Sequence, residues 1–315
     1  MRIVFFGSSK FAVPFLKKLI EFGHEIVCVV TQPDKKSGRG MHLSVTPVKD
    51  SAKQSGLMIY QPVDIKTHEA GEYLKKACAD LFVVIAYGQI LPKIILDIPK
   101  FFSINVHASL LPKYRGAAPL NWAIIKGEKV TGVTVIKMDS FMDAGSVISQ
   151  EKVLLNEDDT AESLGEKLSN VGSELLVNTI KLIEEGKFKL TPQSTSEATL
   201  APKMKKENGM IDWARSAEEI FDLVRGCAGW PGTFTYFGGK LLKIYKARVG
   251  SRVSEPTNLR VPGEIMEVSK DGIVVAAGMG SLIIQELQLE GKKRISAEEF
   301  EIGNKIMIEM VLGKK

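Results

Sequence analysis

The sequence predicts an α/β protein in which a doubly wound, mostly parallel sheet is followed by a small β-barrel. Three observations support this fold class. Apolar, strand-like runs alternate with amphipathic helical patterns in the first half of the chain. From Gly209 onward the pattern changes to short strands separated by Gly and Pro. The length of 315 residues exceeds what one hydrophobic core normally serves, so two domains are expected.

The predicted first domain opens with a strand, a helix and a second strand. Residues 2–6 are predicted as a strand, residues 11–22 as a helix and residues 25–30 as a strand. This unit is Rossmann-like. Its first turn lacks the later glycines of the Gly-x-Gly-x-x-Gly dinucleotide fingerprint, since Ser9 and Ala12 stand in those positions. A plain strand-to-helix turn is therefore favoured over NAD binding.

The rest of the first domain continues this alternation. Helices are predicted over residues 45–55, 65–77, 119–126 and 160–185, and strands over residues 58–60, 81–86, 132–138 and 147–155, besides the strand that begins at residue 101. Periodicity is lost over residues 189–208, where Pro192 and Pro202 interrupt the pattern, so a linker is predicted there. The first domain is therefore expected to span residues 1–188.

The predicted second domain spans residues 209–315 and is expected to be an OB-like β-barrel. A helix is predicted over residues 217–226, followed by strands over residues 233–237, 240–248, 263–269, 272–277 and 281–289. Residues 203–315 contain 18 Lys and Arg against 15 Asp and Glu, a net charge of +3. A surplus of this size is compatible with nucleic-acid binding but is weak evidence for it.

Composition and charge are those of an ordinary globular protein. Hydrophobic residues make up 44% and charged residues 25% of the chain, and the net charge of +5 permits an anionic partner without requiring one. Cys28, Cys78 and Cys227 are far apart in sequence, so neither a disulfide framework nor a zinc site is predicted. No signal peptide or membrane span is predicted, and a reducing, cytoplasmic location is expected.

A long polar segment over residues 31–46 follows the second strand. It contains Lys35, Lys36 and Arg39, with Gly38 and Gly40 on either side of the arginine. Connections in α/β units are usually about two to six residues long, so a loop of this length needs an explanation. Closure on a phosphate-bearing partner and a merely solvated, mobile loop are both compatible with its composition.

Residues 101–119 are expected to form the active site. Their sequence is FFSINVHASLLPKYRGAAP, in which an apolar strand pattern ends at the polar residues Asn105, His107 and Ser109 before Pro112. Ligands of open α/β sheets bind just beyond the carboxyl ends of the strands. Because side chains alternate along a strand, the three polar residues would point to the same side if the extended conformation continued.

Two other segments could contribute to the same edge of the sheet. The turn over residues 87–92 follows the predicted strand of residues 81–86, which is more apolar than the strands before it in the chain. This turn could line a pocket for a flat ring, or it could simply pack as a strand-to-helix turn. Asp143 lies beside glycine in a loop after another predicted strand, from which its carboxylate could reach His107. An ordinary Asx turn is the alternative for Asp143.

Asn105, His107 and Asp143 together suit direct transfer of an acyl or one-carbon group to an amine. The sequence has no nucleophile-elbow pattern, and no second His lies near enough in sequence to suggest a metal, so hydrolysis through an acyl-enzyme or zinc is poorly supported. The His107 imidazolium and the Asn105 amide would stabilise an oxyanion as the amine attacks. Asp143 would help to remove the proton of the amine, directly or through water.

Residues 103–119 resemble the signature of the 10-formyltetrahydrofolate-dependent formyltransferases. The similarity extends over essentially the whole chain, including residues 31–34 (TQPD), 38–40 (GRG) and 87–92 (YGQILP). It implies a Rossmann-like formyltransferase domain followed by an OB-like barrel, with 10-formyltetrahydrofolate as the formyl donor and no metal. The basic loop and the barrel are similar to those of the members that formylate initiator methionyl-tRNA for translation initiation.

The resemblance also implies roles for individual residues and for partners. Asn105, His107 and Asp143 would form the catalytic trio. The folate cosubstrate would contact two turns, one of Ser109, Leu110, Leu111 and Pro112 and one of Tyr87, Gly88, Ile90, Leu91 and Pro92. Arg39, Lys35 and Lys36 would contact the acceptor arm of the tRNA, and the barrel its backbone phosphates. No membrane partner is implied, and the protein is expected to act as a monomer.

Two alternative functions remain open at this point. Formyl transfer to a small amine, such as a nucleotide or an amino sugar, would use the same core but leaves the long basic loop and the barrel without a task. A tRNA-binding protein without catalysis would leave the Asn, His and Asp arrangement unexplained.

Overall fold

The computed structural model describes residues 1–37, 42–250, 260–304 and 306–313. Its contacts divide the chain into two compact units. The first consists of Met1–Pro119, Val130–Leu154 and Gly165–Pro202, and the second of Leu120–Lys129, Leu155–Leu164 and Lys203–Lys315. The domain boundaries at residues 188 and 208 stay a prediction, because compactness does not show where an independently folding domain ends.

Strands and helices are interspersed along the chain as far as residue 184. In chain order they are β1 (Arg2–Gly7), α1 (Val13–Glu21), β2 (Glu25–Val30), β3 (Lys35–Ser37), β4 (His42–Ser44), α2 (Pro47–Gln54), β5 (Ile59–Tyr60), α3 (His68–Lys76), β6 (Leu81–Ile85), α4 (Lys93–Leu96), β7 (Phe102–His107), α5 (Pro119–Ile125), β8 (Val130–Lys137), β9 (Val147–Leu154) and α6 (Ala161–Glu184).

Seven of these described strands form one mixed sheet in the order β5-β2-β1-β6-β7-β8-β9. The strands from β5 to β7 pair in parallel, whereas β8 and β9 are antiparallel to their neighbours. All residues of β6 are buried, as expected for an inner strand covered on both faces. The chain reverses its direction of travel across the sheet between β1 and β6. Such a reversal is where open α/β sheets bind ligands at their carboxyl edge.

Several elements differ from the sequence prediction. The segment over residues 31–46 is not a plain loop, because β3 and β4 pair as an antiparallel hairpin. The helix predicted over residues 11–22 is divided into a 3₁₀ turn, Lys10–Ala12, and α1. Short helix α4 was not predicted. The extended conformation of β7 ends at His107, so the alternation does not continue to Ser109.

The second unit contains a predominantly antiparallel β-sheet. Its helices and strands after residue 209 are α7 (Ala217–Gly226), β10 (Thr233–Phe237), β11 (Lys240–Val249), β12 (Ile265–Ser269), β13 (Gly272–Ala276), β14 (Ser281–Leu289), β15 (Ile295–Ser296) and α8 (Ala297–Gly303). The described strands are ordered β10-β11-β14-β13-β12, with β15 paired to β14. The register is irregular in β11 and β12, and irregularities of this kind bend strands in small barrels.

The buried residues of this sheet form a core with one face of α7 and with Phe300 of α8. The predicted fold class, a Rossmann-like α/β unit followed by a small barrel, is confirmed. Elements β15 and α8 were not predicted. A search of the described helices finds none that is long and apolar enough to cross a membrane.

Candidate active site

Two of the three predicted catalytic residues lie at the carboxyl end of β7. Asn105 pairs with Val84 of β6 and with Ile136 of β8, and His107 is the last residue of the strand. Their spacing of two residues places both side chains on the same face of the sheet. His107 is 5% exposed, so its ring is almost entirely enclosed by protein.

The third residue, Asp143, reaches the same place from the loop between β8 and β9. This loop starts beside β7, where the Met138 N–H donates to the Ser103 carbonyl oxygen at 2.8 Å. The Asn105 amide nitrogen, Nδ2, donates to Asp143 Oδ1 at 3.3 Å, and His107 Nδ1 lies 3.6 Å from Asp143 Oδ2. The structure therefore brings the Asn, His and Asp side chains together around one carboxylate.

The backbone of residues 114–116 completes the surroundings of the trio. The Gly116 N–H donates to Asp143 Oδ2 at 2.9 Å. His107 Nε2 lies 2.8 Å from the carbonyl oxygen of Tyr114, and because a carbonyl only accepts, Nε2 must carry the hydrogen. Nδ1 then faces the Asp143 carboxylate. A neutral ring can donate to only one of these two oxygens, whereas an imidazolium can donate to both.

The turn after His107, predicted to bind folate, is tightly bonded to β8 and β9. Ser109 is fully buried and its hydroxyl donates to the Lys113 carbonyl oxygen at 2.6 Å. The Leu111 N–H donates to Thr134 Oγ1 at 3.1 Å, and the Leu111 carbonyl accepts from Gln150 Nε2 at 2.7 Å. The peptide bond between Leu111 and Pro112 is cis. Leu110 packs against Gly132 of β8, where a Cβ would approach its side chain to 2.5 Å.

The second predicted folate turn, residues 87–92, follows β6 at the neighbouring strand end. Tyr87 and Leu91 are buried in the hydrophobic core beside β1 and β6, and burial holds the pKa of the Tyr87 hydroxyl above its ordinary value. Gly88 has a φ of +93°, a conformation that favours glycine, and Ile90 is 61% exposed. Pro92 precedes α4 as its N-cap residue. The turn thus presents Gly88 and Ile90 outward and anchors itself through Tyr87 and Leu91.

Two of the predicted tRNA-binding residues, Lys35 and Lys36, belong to β3 of the β3–β4 hairpin. Lys35 is exposed on β3. Lys36 is part of the same strand, but its side chain, like the whole of Arg39, lies outside the described residues. No described contact joins Lys35 to the trio.

The base of this hairpin is anchored by Asp34. Its carboxylate accepts hydrogen bonds from Lys49 Nζ at 2.5 Å and from Gln61 Nε2 at 2.9 Å. These bonds, with that of Lys49 the stronger influence, hold the pKa of Asp34 below its ordinary value.

Three residues beside the site were missed by the sequence analysis. Gln193 and Thr199 lie in the segment predicted as a linker, and Arg115 lies in the central stretch but received no role. Gln193 Nε2 donates to the Asp143 carbonyl at 2.9 Å, while the Tyr114 N–H donates to Thr199 Oγ1 at 2.8 Å. The sequence signal of Gln193 and Thr199 is weak, because neither of these two residues belongs to a helix or strand with a periodic pattern.

A search of the described residues finds no group of His, Cys, Asp and Glu that could hold a metal ion. The arrangement that is present combines one amide donor, one imidazole and one carboxylate at a strand end. This set can stabilise an oxyanion and accept a proton, which are the two tasks in acyl transfer to an amine.

Comparison with known families covers both units. Residues 1–180 match the model of the family described as formyl transferase, and residues 203–305 match that of the formyl transferase C-terminal domain. Two solved structures share the fold at 19% identity. HypX from Aquifex aeolicus in complex with tetrahydrofolic acid has a TM-score of 0.65 over 95% of this chain and 46% of its own. An N-formyltransferase from Helicobacter canadensis in complex with folinic acid and dTDP-3-aminofucose has a TM-score of 0.68 over 90% and 99%.

Curated relatives are much more similar in sequence. The methionyl-tRNA formyltransferase of Citrifermentans bemidjiense is 47% identical over 315 residues, which cover 100% of this chain and 97% of that protein. The enzyme of the same name from Alkaliphilus oremlandii is 46% identical over 314 residues, covering 100% of both chains. With both domain models matched and identity of this level over the full length, the chain belongs to the methionyl-tRNA formyltransferase family.

Proposed function

We infer that this protein transfers the formyl group of 10-formyltetrahydrofolate to the amino group of methionyl-tRNA. The single observation that carries this function is the full-length identity of 47% to a relative so named. The product, N-formylmethionyl-tRNA, serves translation initiation. The clustered Asn, His and Asp side chains supply chemistry that suits the reaction.

The trio would act on the amine and on the oxyanion that forms during its attack. Asn105 uses one amide hydrogen on Asp143 in the described contacts, which leaves the other for the oxyanion. The imidazolium of His107 would lower the energy of the same developing charge. Asp143 would accept the proton that the methionyl amine loses, directly or through one water. The folate cosubstrate supplies the formyl group. When the bond between the formyl carbon and the folate nitrogen breaks, that nitrogen takes up the proton lost by the methionyl amine and leaves as a neutral amine.

The folate-binding residues proposed are those of the two turns, Ser109 to Pro112 and Tyr87 to Pro92. One feature beside the second turn fits a polar, flat ligand. Gln32 Nε2 is buried and has no hydrogen-bond partner among the described residues. A Cβ added at Gly88 would lie 3.9 Å from this nitrogen, so the donor borders the open side of the turn. Ile90 adds an exposed apolar surface to the same turn.

A cationic face of the second unit is the proposed contact for tRNA phosphates. Lys243, Lys246 and Arg248 are exposed along β11, on the side opposite to its buried residues. Next to them the Arg294 guanidinium, which is paired with Glu286, lies over the Tyr245 ring, 4.4 Å from its centroid. Exposed cations beside an aromatic ring are typical of surfaces that follow a nucleic-acid backbone. Lys35, Lys36 and Arg39 of the hairpin remain the proposed contacts for the acceptor arm.

The protein is further proposed to act as a monomer in the cytoplasm, where methionyl-tRNA and folate are available. Light scattering during size-exclusion chromatography measures the molar mass and so tests whether the protein is a monomer. A mass of twice that of the chain would contradict it.

The function is tested by incubating purified protein with 10-formyltetrahydrofolate and either methionyl-tRNA or small amines. We expect N-formylmethionyl-tRNA to form rapidly, with little product from dTDP-linked amino sugars or from aminonucleotides. Rapid transfer to a small amine and none to methionyl-tRNA would overturn the proposal in favour of a small-molecule formyltransferase. Binding of tRNA without any transfer would reduce the protein to a tRNA-binding role.

A further inference from the structure

The loop that carries Asp143 has a backbone conformation that needs external support. Asp143 itself has a φ of +52°, in the left-handed region that non-glycine residues rarely adopt. Two residues later, a Cβ at Gly145 would lie 1.8 Å from the Lys137 carbonyl oxygen, so the loop passes very close to β8. Positions of this kind persist when surrounding contacts hold them, and they cluster at functional sites.

The side chain of Gln193 provides such contacts to the loop backbone on both sides of Ala144. Its Nε2 donates to the carbonyl oxygen of Asp143 at 2.9 Å and to that of Gly145 at 2.7 Å. Both amide hydrogens are therefore used on the loop. Gln193 thus bridges Asp143, which carries the carboxylate, and Gly145 two residues later.

Arg115 fixes the orientation of this amide. Its Nε and Nη2 both donate to Gln193 Oε1, at 3.0 Å and 2.7 Å. If the amide were turned over, its NH₂ would face the guanidinium and its oxygen would face two carbonyls, so only one orientation is compatible with the neighbours. Arg115 immediately precedes Gly116, whose N–H donates to the Asp143 carboxylate. The contacts therefore close a ring from Asp143 through Gln193 and Arg115 to Gly116 and back.

The segment that contains Gln193 also contacts Tyr114, whose carbonyl oxygen orients the ring of His107. The Arg115 N–H donates to the Thr199 carbonyl at 2.8 Å, and the Ala201 N–H donates to the Arg115 carbonyl at 2.7 Å. The Tyr114 N–H donates to Thr199 Oγ1, while the Tyr114 carbonyl accepts from the His107 ring. Residues 193–201 therefore contact the supports of both His107 and Asp143.

We propose that residues 193–201 form an active-site strap, and that Gln193 with Arg115 is the pair that positions the catalytic carboxylate. The proposal rests on the formyltransferase function, for which Asp143 handles the proton. Gln193 does not touch the reacting atoms in this scheme. Its effect on the reaction passes through the place and orientation of Asp143.

The kinetic test replaces Gln193 by leucine, which keeps the approximate size but removes all four hydrogen bonds. We expect kcat with methionyl-tRNA to fall by about 10- to 100-fold, the effect of displacing a reacting group by a fraction of an ångström to an ångström. The KM values for tRNA and folate should stay close to those of the wild type. Ser196→Ala, on the strap but bonded only to Ser194 in the described contacts, should leave both parameters unchanged.

A double-mutant cycle separates positioning from general stabilisation. If Gln193 acts through Asp143, adding Gln193→Leu to Asp143→Ala should lower kcat little further. If the loss of kcat in the double variant equalled the product of the losses in the two single variants, the proposal would be overturned. Should Gln193→Leu fail to fold, Gln193→Glu retains the contact with Arg115 but places an acceptor against the carbonyls of Asp143 and Gly145, and the same fall in kcat is expected.

Hydrogen exchange gives a readout that does not depend on turnover. In Gln193→Leu the Gly116 amide and the amides of residues 139–146 should lose protection while those of β7 keep it. Unchanged protection would overturn the strap. If the wild-type protein failed to formylate methionyl-tRNA but the loss of protection were observed, the proposed function would be wrong and the strap would stand.

Discussion

The side chain of His107 is held between two oxygen atoms, the carbonyl of Tyr114 and the carboxylate of Asp143. We expect His107→Ala to lower kcat by at least about 10²-fold, because a positioned acid–base or charge-stabilising group contributes about 10²- to 10⁴-fold. The KM for methionyl-tRNA should change little, since the ring is 5% exposed and offers almost no surface to the tRNA. Steady-state kinetics with both substrates varied measures this.

A matched control for this substitution is His68→Ala. His68 lies on α3 with its side chain 89% exposed, and we expect normal activity from that variant. Near-normal turnover of His107→Ala would show that the ring has no part in the reaction.

Residue spacing predicted part of this site and could not predict the rest. Asn105 and His107 were predicted to share a face because a strand alternates, and they do. Ser109 was expected to follow only if the strand continued, and the chain instead turns after His107 so that the Ser109 hydroxyl closes the turn. Gln193 acts through contacts that span 50 residues to Asp143, and no local pattern encodes such a contact.

Among the elements, the β3–β4 hairpin depends on the bonds between Asp34, Lys49 and Gln61. The lowered pKa of Asp34 means that this stabilisation is fully present above the ordinary value of 3.8 and is lost only as the pH falls through the lower folded value. Near neutral pH the hairpin base is therefore insensitive to pH, and a substitution is needed to weaken it.

We expect Lys49→Met to raise the KM for methionyl-tRNA several-fold with a smaller change in kcat, because the hairpin would be held less firmly for the acceptor arm. Faster trypsin cleavage after Lys35 would report the loosening independently of activity. Lys53→Met, one turn along α2 and without a hydrogen bond to Asp34, is the control. Equal KM values for wild type and Lys49→Met would show that the anchor does not serve tRNA.

Elements with a clear cap or pattern were predictable, and those stabilised only by pairing were not. Strand β3 consists of Lys35, Lys36 and Ser37, which show no apolar alternation, and its partner supplies the hydrogen bonds that make it a strand. Helix α8 is different. It begins with a capping box of Ser296 and Glu299, the same signal with which Ser216 and Glu219 begin α7, so its start was visible in the sequence although the helix was not predicted.

At the scale of the whole molecule, the three cysteines occupy very different environments. Burial raises the pKa of Cys28 to about 11 and that of Cys227 to about 12, whereas Cys78 is exposed. The thiolate is the reactive form, so at about pH 8 the two buried thiols should be nearly inert. We expect Ellman's reagent to modify one thiol quickly in the native protein and the other two only in denaturant. Any fast-reacting thiol in the Cys78→Ser variant would contradict this.

The net charge of +5 and the cationic face of β11 predict salt-sensitive tRNA binding. We expect affinity to fall steeply with salt, and Lys243→Ala to reduce the slope of log affinity against log salt by about one. Fluorescence anisotropy over a salt series measures this slope. Lys17→Ala on α1 is the control, and an equal effect of both substitutions would indicate non-specific attraction in place of a defined face.

The division into a Rossmann-like unit and a small barrel was predictable because each follows from a repeating pattern of apolar residues. The role of residues 193–201 was not, since a segment without periodicity is typical of a linker. The bonds of Gln193, Thr199 and Ala201 to residues far back in the chain distinguish this strap from a spacer.

The strap also affects when the enzyme can become active during its synthesis on the ribosome. The catalytic trio is synthesised early. The strap of residues 193–201, which supports His107 and Asp143, is synthesised only after α6. A growing chain, or a recombinant fragment cut at residue 188, would thus keep the contacts within the trio but lack the bonds of the strap that support them. The full rate of formylation should therefore be reached only after residue 201 has been synthesised and the strap has folded back.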